Sequence, residues 1–217
     1  MMLCTETFYK ENIEGKNETE LLSLIKRLKR EMSRLKRKME HPEYTPTVCP
    51  TEDTQLWCTR LYLERVKKAL REMGAEYKPT LQEKRATDFD ENIESIQKVT
   101  LNICTYLERW RIYTAHIGDE IKFDVENLMN FSPENSAIAD DEALTKEEFL
   151  EGLRELYIGE WRKNYSIERF GYTVCDGTHW ELTIEYNNGH KTFTCIGDND
   201  YPYNFEQLTE LFGTDEI

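Results

Sequence analysis

The sequence predicts an α+β protein: an N-terminal long-helix hairpin, then antiparallel β-sheet segments, then a C-terminal helix, three-strand meander and helix. Three observations carry that prediction. Apolar residues repeat at heptad spacing from Leu21 to Met39, the pattern of a helix seeking a partner helix. The period switches to two near Val99, the signature of a half-buried strand. Two late strand-like runs flank Asn187-Asn188-Gly189, a turn whose residues accept positive φ.

In order along the chain, residues 1–16 read as an N-terminal extension. Asn17-Glu18-Thr19-Glu20 then reads as a capping box, which satisfies two orphan N–H groups reciprocally. Leu21, Ile25, Leu28, Met32, Leu35 and Met39 form one stripe behind it. Pro42, Pro46 and Pro50 interrupt helix, because proline removes a donor and disfavours helix in its predecessor. Thr51-Glu52-Asp53 opens a second helix whose stripe is Leu56, Leu63, Val66, Leu70 and Met73, with Gly74 as its stop. The short link favours an antiparallel hairpin over residues 17–74, closed within the chain. A dimer built by the same seam is the competing arrangement.

Residues 75–96 are polar and read as a connector with a short helical piece. An antiparallel β segment follows at 97–131, with Val99, Leu101 and Ile103 in alternation and a hairpin turn at Gly118-Asp119. The acidic stretch 132–144 reads as a loop and module boundary, leaving 145–217 as a C-terminal α+β module. Thr145-Lys146-Glu147-Glu148 is a second capping box, and Asn204 to Gln207 reads as the cap of a last helix, Phe205 to Phe212. The expected meander strands are Tyr172–Cys175, Trp180–Tyr186 and His190–Ile196.

The chain has 217 residues, of which 39% are hydrophobic and 32% charged, with a formal net charge of −14. That is long enough to bury a real core, and its 10 Gly and 6 Pro argue against a disordered chain. No apolar run approaches the ~20 residues of a membrane helix, and no signal-peptide pattern opens the sequence, so the expectation is a cytoplasmic protein with no membrane partner. The six cysteines form no C-x-x-C pair and the four histidines no H-x-x-x-H motif, so neither a metal nor a redox site is expected. No phosphate-binding glycine motif is present, and no cofactor is expected. Asp176-Gly-Thr-His179 places a carboxylate near an imidazole. Asp-Gly before a strand is more simply a turn, so no catalytic residue is assigned and the chain is not expected to be an enzyme.

Charge is segregated. Residues 1–38 carry a net +4, whereas residues 75–217 carry −17. Lys26, Arg27, Lys29, Arg30, Arg34, Lys36, Arg37 and Lys38 face a single acid, Glu31, in their stretch of the first long helix. Such a run can contact phosphates at a salt-sensitive cost, which makes nucleic acid one candidate partner. On the acidic side, Asp140, Asp141, Glu142, Glu147, Glu148 and Glu151 cluster around the helix that starts at 145, with Asp198 and Asp200 as candidate additions. Carboxylates spaced along a surface can stand where phosphates would and dock on a basic groove.

Two stretches carry a resemblance. Phe8 to Gly15 with the Leu/Lys/Arg helix behind it, and Arg169 to Tyr186 through Asn199 to Phe205, resemble uncharacterised proteins of gut Firmicutes associated with conjugative or phage-like mobile elements. The resemblance implies a setting and carries over no functional residue. Charge and setting together give the expected function: a non-enzymatic protein-binding accessory of a mobile element. Its sharpest form is an acidic inhibitor, anti-CRISPR-like or otherwise anti-defence, that docks on the basic groove of a nuclease effector or similar nucleic-acid-handling complex. The alternative is a nucleic-acid-binding accessory that uses the basic helix 26–38.

Overall fold

A computed structural model describes residues 4–47, 49–105, 109–127 and 144–214, and the chain divides into two compact units, Met1–Pro79 and Thr80–Ile217. Both contain helices, and the second holds one six-stranded mixed sheet, so the molecule is α+β.

The first unit is helical: α1 (Thr5–Asn12), α2 (Glu18–Met39) and α3 (Glu52–Glu72). The capping box at Asn17 and Glu20 forms in both directions. Leu21, Ile25, Leu28, Met32 and Leu35 are buried, joined by Leu24, and Leu56, Leu63, Val66 and Leu70 are buried on the facing helix. The heptad seam therefore closes within the chain, α2 against α3. Residues 1–16 are more than the expected extension. Phe8 and Ile13 are buried, and Phe8 stacks on Tyr62 of α3 with ring centroids 4.0 Å apart. Arg65 lies over the ring of Tyr9. One aromatic and one isoleucine over this short length give too few turns for a periodicity to show.

The proline-containing link is organised by Glu52, which is 2% exposed although it begins α3. Its carboxylate pairs with Lys38 at the end of α2. It also accepts from the Tyr44 hydroxyl at 2.8 Å and from the Thr47 backbone N–H at 3.1 Å. These donors hold the Glu52 carboxyl at about 2, well below its ordinary 4.5, the Lys38 hydrogen bond being the largest cause. A charge this deep is tolerated because each lone pair finds a donor.

The second unit begins with α4 (Leu81–Asn92), capped by Thr80 and Glu83. It continues through β1 (Ile96–Thr105), β2 (Arg109–Ile117), β3 (Ile121–Asn127), α5 (Lys146–Glu155), β4 (Asn164–Ser166), β5 (His179–Tyr186), β6 (Phe193–Asp198) and α6 (Phe205–Leu211). The strand order is β3-β2-β1-β5-β6-β4. Neighbours are antiparallel except β4 and β6, which are parallel. One sheet face carries Val99, Leu101, Ile103, Tyr113, Ala115, Trp180, Leu182, Ile184 and Cys195 into a single core with Phe149, Leu153, Phe205 and Leu208 from α5 and α6, Phe212 just past the end of α6, and Phe89 from α4. Phe149 and Phe212 meet edge to face, 6.0 Å between centroids.

Five expectations are corrected here. β1 pairs with β2 on one side and β5 on the other, so the strands before and after residues 132–144 belong to one sheet rather than two modules. Within the 75–96 connector, Phe89 and Ile93 enter that same core. Tyr172–Cys175 is not a strand: all four residues are exposed, the place beside β5 that a meander would give them is held by β1, and the third C-terminal strand is Asn164–Ser166 on the far edge of β6. Burial explains the choice, because Tyr165 and Ile167 reach the interior at 2% and 8% exposure while Tyr172 and Val174 stay at 36% and 45%. The returning strand starts at Phe193 rather than His190. Asn204 makes no cap bond to α6, since its amide nitrogen instead donates to the Leu156 carbonyl at 2.8 Å.

Candidate protein interface

On the basic helix, Lys26, Arg27, Arg30, Arg34, Arg37 and Lys38 are exposed, and Lys29 and Lys36 half-buried. Several are engaged inside the unit. Arg34 forms a two-armed pair with Glu31, at 2.9 and 2.6 Å. Lys38 belongs to Glu52, and Lys29 donates to the Tyr77 hydroxyl at 3.2 Å. The stripe available to a partner centres on Lys26 and Arg30.

The acidic candidates are placed unequally. Glu147, Glu148 and Glu151 lie exposed on α5, while Asp140, Asp141 and Glu142 lie outside the described residues. Glu148 is committed to its helix: its carboxylate accepts from the Thr145 N–H at 2.9 Å and hydroxyl at 2.8 Å. Those bonds depress its carboxyl below the usual range. Glu151 is paired with Arg154, whose other arm reaches Glu94 at 3.1 Å. Asp200, a candidate addition, is not on the surface. It is 2% exposed and held by Arg169 at 2.5 and 2.8 Å, in a cluster where Trp180 donates to the Asp200 carbonyl and packs on Phe205. Asp198 is exposed.

The larger surface feature lies on the sheet. The face opposite the core is built from the other phase of each strand, and its registers align in rows. One row runs Glu126, Ile112, Asn102, Glu181, Ile196 across β3, β2, β1, β5 and β6. The next runs Trp110, Cys104, His179, Asp198. On the other side lie Asp124, Thr114, Thr100, Thr183, Thr194, and then Lys122, His116, Lys98, Glu185. Directly opposed side chains on such rows sit about 5 Å apart at Cβ. Most of these residues are half-exposed or exposed, and Trp110 is 42% exposed. Lys98 pairs with Glu185 at 3.2 Å and His116 with Asp124 at 3.2 Å. In the centre, Thr100 Oγ1 and Asn102 Oδ1 are buried with no hydrogen-bond partner, which is uncommon enough in folded proteins to mark the spot. The strand alternation contained this face, since Lys98, Thr100, Asn102 and Cys104 are the polar phase of β1. Which strands lie side by side was not readable from it.

Cys104, His179 and Asp198 are opposed across three strands, yet Cys104 Sγ leans on the Thr105 carbonyl at 3.8 Å rather than on His179. Asp176 and His179 are exposed, and the segment between them is a turn packed on Asn199, whose side chain accepts from the Thr178 N–H at 2.8 Å. Among the described residues no group of three or more His, Cys, Asp or Glu is placed to hold a metal, and no helix is long and apolar enough to cross a membrane. What the geometry presents is a broad face, mixed in chemistry and acidic on balance. Searches against family models, curated proteins and solved structures find no match for this chain.

Proposed function

We propose that the chain is a protein-binding accessory whose acidic second unit docks on the basic surface of a partner, in the manner of an inhibitor of a nucleic-acid-handling complex. The observation that supports this reading is that charge divides where the units divide. Residues 80–217 hold twelve basic and twenty-nine acidic side chains, a net −17, while residues 1–79 hold sixteen and thirteen, a net +3. A field of that sign attracts basic surfaces and speeds encounter with them. Surfaces that bind phosphates are of that kind. The mobile-element setting belongs to the same proposal, as does the anti-defence role.

The test is affinity capture with the full chain from nuclease-treated lysate, followed by competition with the recovered protein in purified form. The expected result is a partner that stays bound without nucleic acid and releases a labelled oligonucleotide stoichiometrically as the chain is added. Reversing Glu147 and Glu151, with the capping Glu148 left intact, should weaken that association by about tenfold. Retention of nucleic acid alone, lost on adding salt, would overturn the reading.

A second reading rests on the exposed stripe at Lys26 and Arg30. It assigns nucleic acid to α2 and expects a mobility shift that fades with salt and disappears when Arg30, Arg34 and Arg37 are replaced.

A further inference from the structure

We propose that the chain forms a symmetric dimer in which β3 pairs antiparallel with β3 of a second copy, so that the sheet continues across the two-fold axis. This self-association is independent of the basic partner proposed above.

The two edges of the sheet differ in kind. β4, at one edge, has three residues and passes at once into a helical turn, Ile167–Phe170. An edge that short offers little to another strand. β3, at the other edge, has seven residues and no proline. Its register with β2 is unbroken from Ile117 opposite Ile121 to Arg111 opposite Asn127, so no bulge turns it away. Among the described residues no strand pairs with its outer side. Its apolar side is also incompletely covered. Ile121, Phe123 and Val125 pack against the core but stay half-buried, whereas the β2 residues opposite them, Ile117, Ala115 and Tyr113, are buried.

Shortness, proline, bulges and charge are the devices that keep sheet edges from pairing, and charge is the one β3 has. Its charges complement a second β3. A slip of one residue would bring core-facing side chains to the wet face, so the axis must pass through a residue. With the axis at Phe123, Lys122 faces the partner's Asp124, Ile121 faces the partner's Val125, and the two Phe123 rings meet. Opposed pairs of these kinds favour a sheet. With the axis at Lys122 or Asp124, that charge would face its own copy. His116 takes Asp124 Oδ2 at 3.2 Å, which leaves Oδ1 to the partner's Lys122. The pairing ends at Ile121 and Val125, because beyond them Glu126 and the partner's Glu120, a residue of the β2–β3 turn, repel. The contact uses the same patch on both copies, so with β4 blunted the assembly closes at two.

The test is sedimentation velocity on the full chain across a wide range of concentration, with a monomer–dimer equilibrium as the expected result. Lys122→Glu and Asp124→Lys should each weaken dimerisation about tenfold, since symmetry turns every altered pair into two. Mixed in equal amounts, the two variants should recover the dimer, because each then presents the charge the other lacks. Mixing cannot rescue a misfolded chain, so recovery separates pairing from folding. A monomer at every concentration would overturn the proposal, as would a dimer indifferent to either variant or a mixture that recovers nothing.

Discussion

Gly197 has no side chain because the Trp180 indole occupies the space one would need. A Cβ built there would lie 2.1 Å from Trp180 Nε1 and 2.2 Å from Cε2. The indole cannot step aside: Trp180 is fully buried and is fixed by its bond to the Asp200 carbonyl at 2.9 Å. Gly197→Ala is expected to cost about 1–3 kcal/mol or more through overpacking, read as a lowered midpoint in urea unfolding followed by near-ultraviolet circular dichroism. Gly171→Ala, with its φ of 84 and nothing within 4 Å of a new Cβ, should lose less, since only backbone strain opposes it. At this scale the sequence was partly legible. Trp180 as an inward strand residue followed from alternation, whereas the glycine beneath it did not, because a close approach between strands leaves no local pattern.

Among the elements, the α2–α3 hairpin depends on a link whose centre is one carboxylate. Glu52 is held at about 2 against an ordinary 4.5, chiefly by Lys38. The lowered value in the folded state means that its contribution is complete above pH 4.5 and disappears as pH falls from there toward 2. Tyr44, raised to about 12 by burial and then by its bond to Glu52, behaves oppositely, losing its contribution as pH rises from 10 toward 12. Glu52→Gln should therefore lower the stability of the helical unit at pH 7 and flatten its acid limb, as seen in thermal unfolding followed at several pH values. An unchanged acid limb would show that other carboxylates set it. The helices themselves were readable from their caps and stripes, because a 3.6-residue period and a capping box are local. The buried role of Glu52 was not, since an acid at the start of a helix is ordinarily a surface residue placed for the helix dipole. The strand at Asn164–Ser166 was missed for a related reason: a three-residue edge strand has too few residues for alternation to register.

For the whole molecule, the two units have separate apolar interiors. That of the helical unit is built on Leu21, Ile25, Leu35 and Leu70, and that of the sheet unit on Trp180, Phe149, Leu101 and Phe212. The sequence revealed the charge division but placed an internal boundary at 132–144, because an acidic, proline-containing stretch looks like a linker whether or not the strands around it pair. Pairing of β1 with β5 is non-local, and only the folded chain reveals it. The candidate interface shares that limit, as its rows cross strands that come from distant parts of the chain.

Among the six cysteines, Cys58 is buried in the helical unit and Cys195 in the sheet unit, while Cys4, Cys49 and Cys175 are exposed. Burial raises the Cys58 thiol and pushes that of Cys195 up to about 12, so neither offers a reactive thiolate while its unit stays closed. Each half of the chain thus carries its own opening clock. Pulsed alkylation read by peptide mass should modify the exposed three at once and then Cys58 and Cys195 at the rates at which their units open. Two different rates would mean that the halves breathe independently, and a single shared rate would mean that they come apart together.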